Sequence, residues 1–152
     1  MKITNVNDLP YDKDINIWEI SNQENSSLLL LQIDENTFQL IQNGIFQPLI
    51  TNTNYILIDK KYRKLLNQLS EQVILKEVTI IHKSQNLQYN NYLQLSILHK
   101  IIPDMKKEIS DCDLQIWEYC NSIFISESLK NKFIEFDENE FIFLAGFPLT
   151  VV

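Results

Sequence analysis

Four sets of side chains in this chain are of types that do chemistry. Asp111 and Asp113, one residue apart, have the makings of an acid–base pair or of calcium ligands. A calcium loop of the helix–loop–helix kind needs a glycine at its sharp turn, and the segment around these aspartates has none. Ser126 follows the apolar run Ile123-Phe124-Ile125 and precedes a helical pattern, which is the strand-to-helix position of a nucleophile elbow. The glycines that flank such an elbow are missing, and an N-capping role accounts for the serine fully. His82 and His99 are the only histidines, and neither has a carboxylate or cysteine at a metal-ligand spacing. Cys112 and Cys120 are too widely spaced for a close-paired redox or zinc motif and read as reduced thiols behaving as small buried hydrophobes. The expectation is therefore no catalytic, cofactor-binding or metal-binding residue, and no cofactor.

The acidic residues carry more information as a group. Glu135, Asp137, Glu138 and Glu140 lie together with no Lys or Arg among them, and Asp111 and Asp113 belong to a more dilute acidic stretch that includes Lys106 and Lys107. A solvated face is the ordinary meaning of such runs; the sharper reading is a surface that docks a basic protein and speeds its arrival by electrostatic steering. The net charge of −7 argues against DNA or RNA as a ligand, because phosphate contacts need clustered Lys and Arg. With Gly44 and Gly146 as the only glycines, a glycine-rich phosphate loop is excluded too. Trp18, Trp117, Tyr119, Phe141 and Phe143 read as core or cross-strand fillers in preference to a cofactor box.

These residues must be positioned by something, and the clearest pattern occurs twice. Tyr55-Ile56-Leu57-Ile58 meets Asp59 and then the amphipathic Lys60 to Leu69; Ser122-Ile123-Phe124-Ile125 meets Ser126 and then Glu127 to Phe136. Each copy reads as strand, N-cap, helix, since Asp and Ser are short acceptors able to bond an orphan N–H of a first helical turn. Tyr62, Leu65, Leu66 and Leu69 share one helical face, and Leu129, Phe133 and Phe136 do so less completely. Further strands are expected around Ile15 to Ile20, over Ser27 to Ile33, over Val73 to His82, over Tyr92 to Leu98 after a polar connection Lys83 to Asn91, at Leu114 to Tyr119 and at Phe141 to Leu144. Asn43-Gly44, between Thr37 to Gln42 and Ile45 to Ile50, predicts a tight type I′ hairpin, with Pro48 placing its strand at an edge or ending the pairing. Pro103 breaks the pattern, and Asp104 is positioned to cap a short helix bearing Met105 and Ile109. The closing turn is Gly146, Phe147, Pro148.

The whole is expected to be one α+β domain, 1–152, mostly antiparallel sheet with two or three short helices and a duplicated strand-helix unit. Hydrophobic residues at 45% and 152 positions are enough for a core without metals or disulfides. Met1 to Tyr11 has no export signature and no apolar run approaches the length of a membrane span, so the expectation is a cytoplasmic protein with no membrane partner.

The segment Tyr55-Ile56-Leu57-Ile58-Asp59-Lys60-Lys61-Tyr62-Arg63-Lys64-Leu65-Leu66, then Asn91-Tyr92-Leu93-Gln94-Leu95, then Ile123-Phe124-Ile125-Ser126-Glu127-Ser128-Leu129-Lys130 resemble, in that order and at comparable spacing, a family of immunity proteins from bacterial polymorphic toxin systems. It is immunity family eleven, formerly a domain of unknown function, and the resemblance covers about 55–149. It implies a cytoplasmic inhibitor, not an enzyme, that binds and neutralises a cognate toxin domain stoichiometrically. The acidic residues Glu135, Asp137, Glu138, Glu140, Asp111 and Asp113 would face that toxin, which is then expected to be basic. The alternatives are a small-molecule enzyme with an unrecognised site and a structural or adaptor module of a secretion or phage particle.

Overall fold

The computed structural model describes residues 17–100 and 114–146. In chain order these form β1 (Ile17–Asn22), β2 (Leu29–Asp34), β3 (Thr37–Gln42), β4 (Leu49–Thr51), β5 (Ile56–Asp59), α1 (Arg63–Leu66) with a 3₁₀ turn on either side, β6 (Val73–His82), β7 (Leu87–Ile97), β8 (Ile116–Tyr119), β9 (Ser122–Ser126), α2 (Glu127–Phe136) and β10 (Phe141–Ala145). The ten strands make two sheets, and the protein is a single-domain α+β fold, as composition and pattern lead one to expect. The smaller sheet runs β10-β1-β9-β8 and is antiparallel throughout. The larger runs β2-β3-β6-β7-β5-β4, with β3 and β6 as its parallel pair.

Side chains on a strand alternate between faces, and β5 uses both. Ile56 and Ile58 enter the main core, which lies between the two sheets and takes in Ile20, Ile123 and Ile125 from the smaller sheet and Tyr62, Leu66, Leu129 and Phe133 from the helical segments. Leu57 points the other way, into a second cluster with Phe38, Ile80 and Tyr92.

The Asn43-Gly44 hairpin does not form. The tight turn lies instead at Glu35-Asn36, where Asp34 accepts from the Asn36 N–H at 2.8 Å and β2 pairs antiparallel with β3. After Gln42 the chain leaves the sheet; of Ile45 to Ile50 only the end joins strand β4, which pairs with β5. The physical reason is that Asn43 to Pro48 lies over the second cluster, with Phe46 packed on it and stacked 4.8 Å from Tyr89. Ser26 and Ser27 donate to the carbonyls of Ile45 (2.7 Å) and Asn43 (3.1 Å), holding that segment beside Leu28. Gly44 is needed for close approach: a Cβ there would lie 2.3 Å from the Leu28 backbone nitrogen. Pro48 does immediately precede an edge strand.

Three smaller expectations shift as well. The connection between β6 and β7 is shorter than Lys83 to Asn91, because Asn86 takes a left-handed conformation (φ 53°) and β7 starts at Leu87. Cys120 is exposed, not buried: with Asn121 it forms the β8–β9 turn, φ 50° and 67°. Phe136 is 47% exposed instead of continuing the buried helical face. Ile15, the segment after Pro103, Cys112 and the turn residues Phe147 and Pro148 lie outside the described residues.

Candidate protein-binding surface

Both strand-cap-helix units form. Asp59 accepts from the Lys61 N–H at 2.9 Å, and Ser126 accepts from the N–H groups of Leu129 (3.4 Å) and Gln115 (3.0 Å). Fully buried and occupied by two backbone donors, the Ser126 hydroxyl stands as a cap, as its sequence context predicts. The first helix is a short α-turn between two 3₁₀ turns, yet its apolar residues Tyr62, Leu65, Leu66 and Leu69 are all buried. The two strands of these units lie in different sheets, and the units meet through their helices: the Tyr62 and Phe133 rings are 5.4 Å apart, and Phe141 of β10 lies 5.4 Å from Tyr62 and 5.7 Å from Phe133. Such ring pairs contribute about 0.5–1.5 kcal/mol each beyond their area.

That aromatic junction sits under the acidic group. Glu135 is exposed on the last turn of α2; Asp137 caps its C-terminus and accepts from the Asn139 N–H at 3.0 Å; Glu138 is exposed in the turn to β10. Glu140 behaves differently, because Lys61 from the first unit reaches it at 2.6 Å. That hydrogen bond is the main cause of a raised Lys61 pKa, so the ammonium is held charged. Among the described residues no cation pairs with Glu135, Asp137 or Glu138. Glu135 and Asp137 flank the half-exposed Phe136 in sequence, that ring lies 4.8 Å from Tyr62, and the charge of Asp137 adds to the raised pKa of Lys61. Asp111 and Asp113 lie outside the described residues.

Among the described residues the Tyr62 hydroxyl, buried beneath this group, makes no well-formed hydrogen bond. Burial is the main cause of its raised pKa, and the Glu140, Asp137 and Asp59 carboxylates add to the rise, with Glu140 near enough to contribute a weak hydrogen bond. Sequence reasoning did not single out Phe136 as a surface residue, nor Lys61 as the partner of Glu140. An incomplete apolar face on α2 was the only available sign of the first.

Some other reactive side chains are engaged locally. His82 Nε2 lies 2.9 Å from the Ser84 hydroxyl. Lys130 stands 3.6 Å over the Trp18 ring, whose indole N–H donates to Glu127. Among the described residues no three His, Cys, Asp or Glu side chains converge as metal ligands, and no helix is long and apolar enough to cross a membrane.

Compared with known proteins, the chain matches no family model, no curated protein and no solved structure.

Proposed function

We propose that this chain is an immunity protein that acts in the cytoplasm by binding a basic bacterial toxin domain in a stoichiometric complex. The observation that carries the reading is the surface at the end of α2, where the half-exposed Phe136 stands in a segment with Glu135, Asp137 and Glu138, none of which has a salt-bridge partner among the described residues. A desolvating aromatic anchor inside a charged rim is the arrangement that gives protein interfaces their affinity and their rate of encounter. The sequence resemblance over about 55–149 supports the same reading.

Two clefts among the described residues offer little for small-molecule chemistry. The cleft of about 290 Å³ between the end of β1 and Ile45 to Thr51 has Glu24 as its only ionisable lining residue. In another of about 270 Å³ beside β7, Lys100 and Glu118 are paired with one another. Neither offers an unpaired acid beside an unpaired base.

Co-expression tests the proposal. The chain is expected to rescue cells from a toxin encoded beside its gene and to co-purify with it at one to one. Failure to protect against every neighbouring toxin overturns it.

A further inference from the structure

We propose that the seam between β2 and β4 takes up an extended segment of a basic protein, laid in as a further strand. These are the two end strands of the larger sheet, yet both reach the same interior: Leu30 of β2 and Ile50 of β4 are buried in the second cluster together with residues of every strand between them. The sheet therefore curls round that cluster, and its pairings run β2 and β4 in the same direction. Two clefts follow one another along the seam. One, of about 290 Å³, lies between Leu28 and Leu49 to Thr51; the other, of about 400 Å³, lies between Leu30 to Glu35 and Asn52, Asn54 and Tyr55.

Side chains stand in for the missing neighbour. The Asn22 amide donates to the Leu49 carbonyl (2.8 Å) and accepts from the Leu49 N–H (3.1 Å), as an adjacent strand would, and the Tyr55 hydroxyl donates to the Leu30 carbonyl (3.2 Å). Leu49 and Leu30 thus turn their backbone groups to the seam. The register is regular from Leu49 to Thr51 and from Leu30 to Gln32, so by the two-residue period of a ladder Thr51 and Gln32 do the same. Both residues are exposed, and no hydrogen bond among the described residues reaches those outward groups. Bare N–H and C=O groups along a strand edge are the template on which a further strand adds.

Charge selects the occupant. The charged residues lining the two clefts are Glu24 in the first and Asp34 and Glu35 in the second, with no Lys or Arg in either lining. A segment running against both strands makes antiparallel ladders on either side, the more stable pairing. Matched to β2 it is about six residues long and carries a Lys or Arg at each end. Exposed Leu31 and Ile33 beside the second cleft give its apolar side chains a place to pack. This inference does not depend on the immunity reading, whose surface is the end of α2.

Fluorescence anisotropy of a labelled peptide, Lys-Val-Thr-Val-Thr-Val-Lys, with the full chain tests the proposal without any toxin, so failure here leaves the immunity reading standing. Saturable binding is expected. It should weaken about tenfold or more on N-methylation of alternate peptide nitrogens, on replacing both Lys by Glu, and in the variant Asp34→Asn with Glu35→Gln. Those two positions are exposed and Asn keeps an acceptor for the Asn36 N–H, so the variant's thermal unfolding is expected to stay near wild type. In hydrogen exchange the amides of Gln32 and Thr51 are expected to exchange fast in the free chain and slowly with the peptide bound. No saturable binding up to roughly 1 mM overturns the proposal, as does equal binding of the N-methylated or Glu-ended peptide or undiminished binding by the variant. Gln32 and Thr51 amides as slow in the free chain as that of Leu57 overturn it too. The seam is then filled by this chain itself or, where the protection rises with protein concentration, by a second copy.

Discussion

Tyr62 concentrates the residue-scale energetics. Its ring joins the two helical units, and its buried hydroxyl makes no well-formed hydrogen bond among the described residues, so its desolvation is poorly compensated. Tyr62→Phe is expected to be neutral or to stabilise the fold by up to about 1 kcal/mol at pH 7, read from the urea midpoint. Tyr92 is the control: equally buried, it donates to the Gln47 carbonyl at 2.7 Å, so Tyr92→Phe should destabilise. Burial raises both phenol pKa values above the ordinary value near 10. The folded protein then keeps protons that the unfolded chain releases, so stability is undiminished below about pH 10 and falls as pH rises beyond it. Tyr62→Phe should flatten that alkaline fall; an unchanged slope would mean that the phenol is not titrating against burial. The caps Asp59 and Ser126 were readable because a short acceptor at the end of an apolar alternation has few other uses. The poorly bonded hydroxyl of Tyr62 was not, since a buried aromatic face and a buried oxygen leave the same mark in a sequence.

Elements were legible where one local force dominates. The β-branched run placed β6 over Val73–His82, and apolar residues three and four apart placed both helices. Asn43-Gly44 misled because a missing Cβ serves two purposes, left-handed backbone or close approach, and the chain does not announce which. Here Leu28 decides, a residue brought alongside only by the fold. Gly44→Ala is expected to cost about 1–3 kcal/mol in thermal unfolding through the clash with the Leu28 backbone. Asn43→Ala should cost little, whereas a type I′ turn would lose its left-handed first residue. The β8–β9 turn errs in the opposite sense: Cys120 and Asn121 adopt positive φ with no glycine to signal it.

At the scale of the molecule, the acidic group was legible as a sequence cluster, and its composition as a surface was not. Lys61 comes from the other unit to neutralise Glu140, and Phe136 turns outward between Glu135 and Asp137. Charge reversal should divide along that line. Glu135→Lys and Glu138→Lys together are expected to slow association with a basic toxin, most at low ionic strength, while leaving thermal stability near wild type. Glu140→Lys should also weaken the fold, by about 0.5 kcal/mol, by setting two cations against each other. Unchanged association at low salt for the double variant removes this surface from the interface.

The placement of β1 sets an order of events during synthesis. It is hydrogen-bonded between β9 and β10, with Trp18 opposite both Ile125 and Ala145. The larger sheet draws all its strands from 29–97 and can close while translation continues. The smaller one must wait for Ala145 to leave the ribosome, so β1, among the first of these strands to emerge, spends most of synthesis with both its edges open. In that interval its unpaired backbone groups are open to pairing with any other strand.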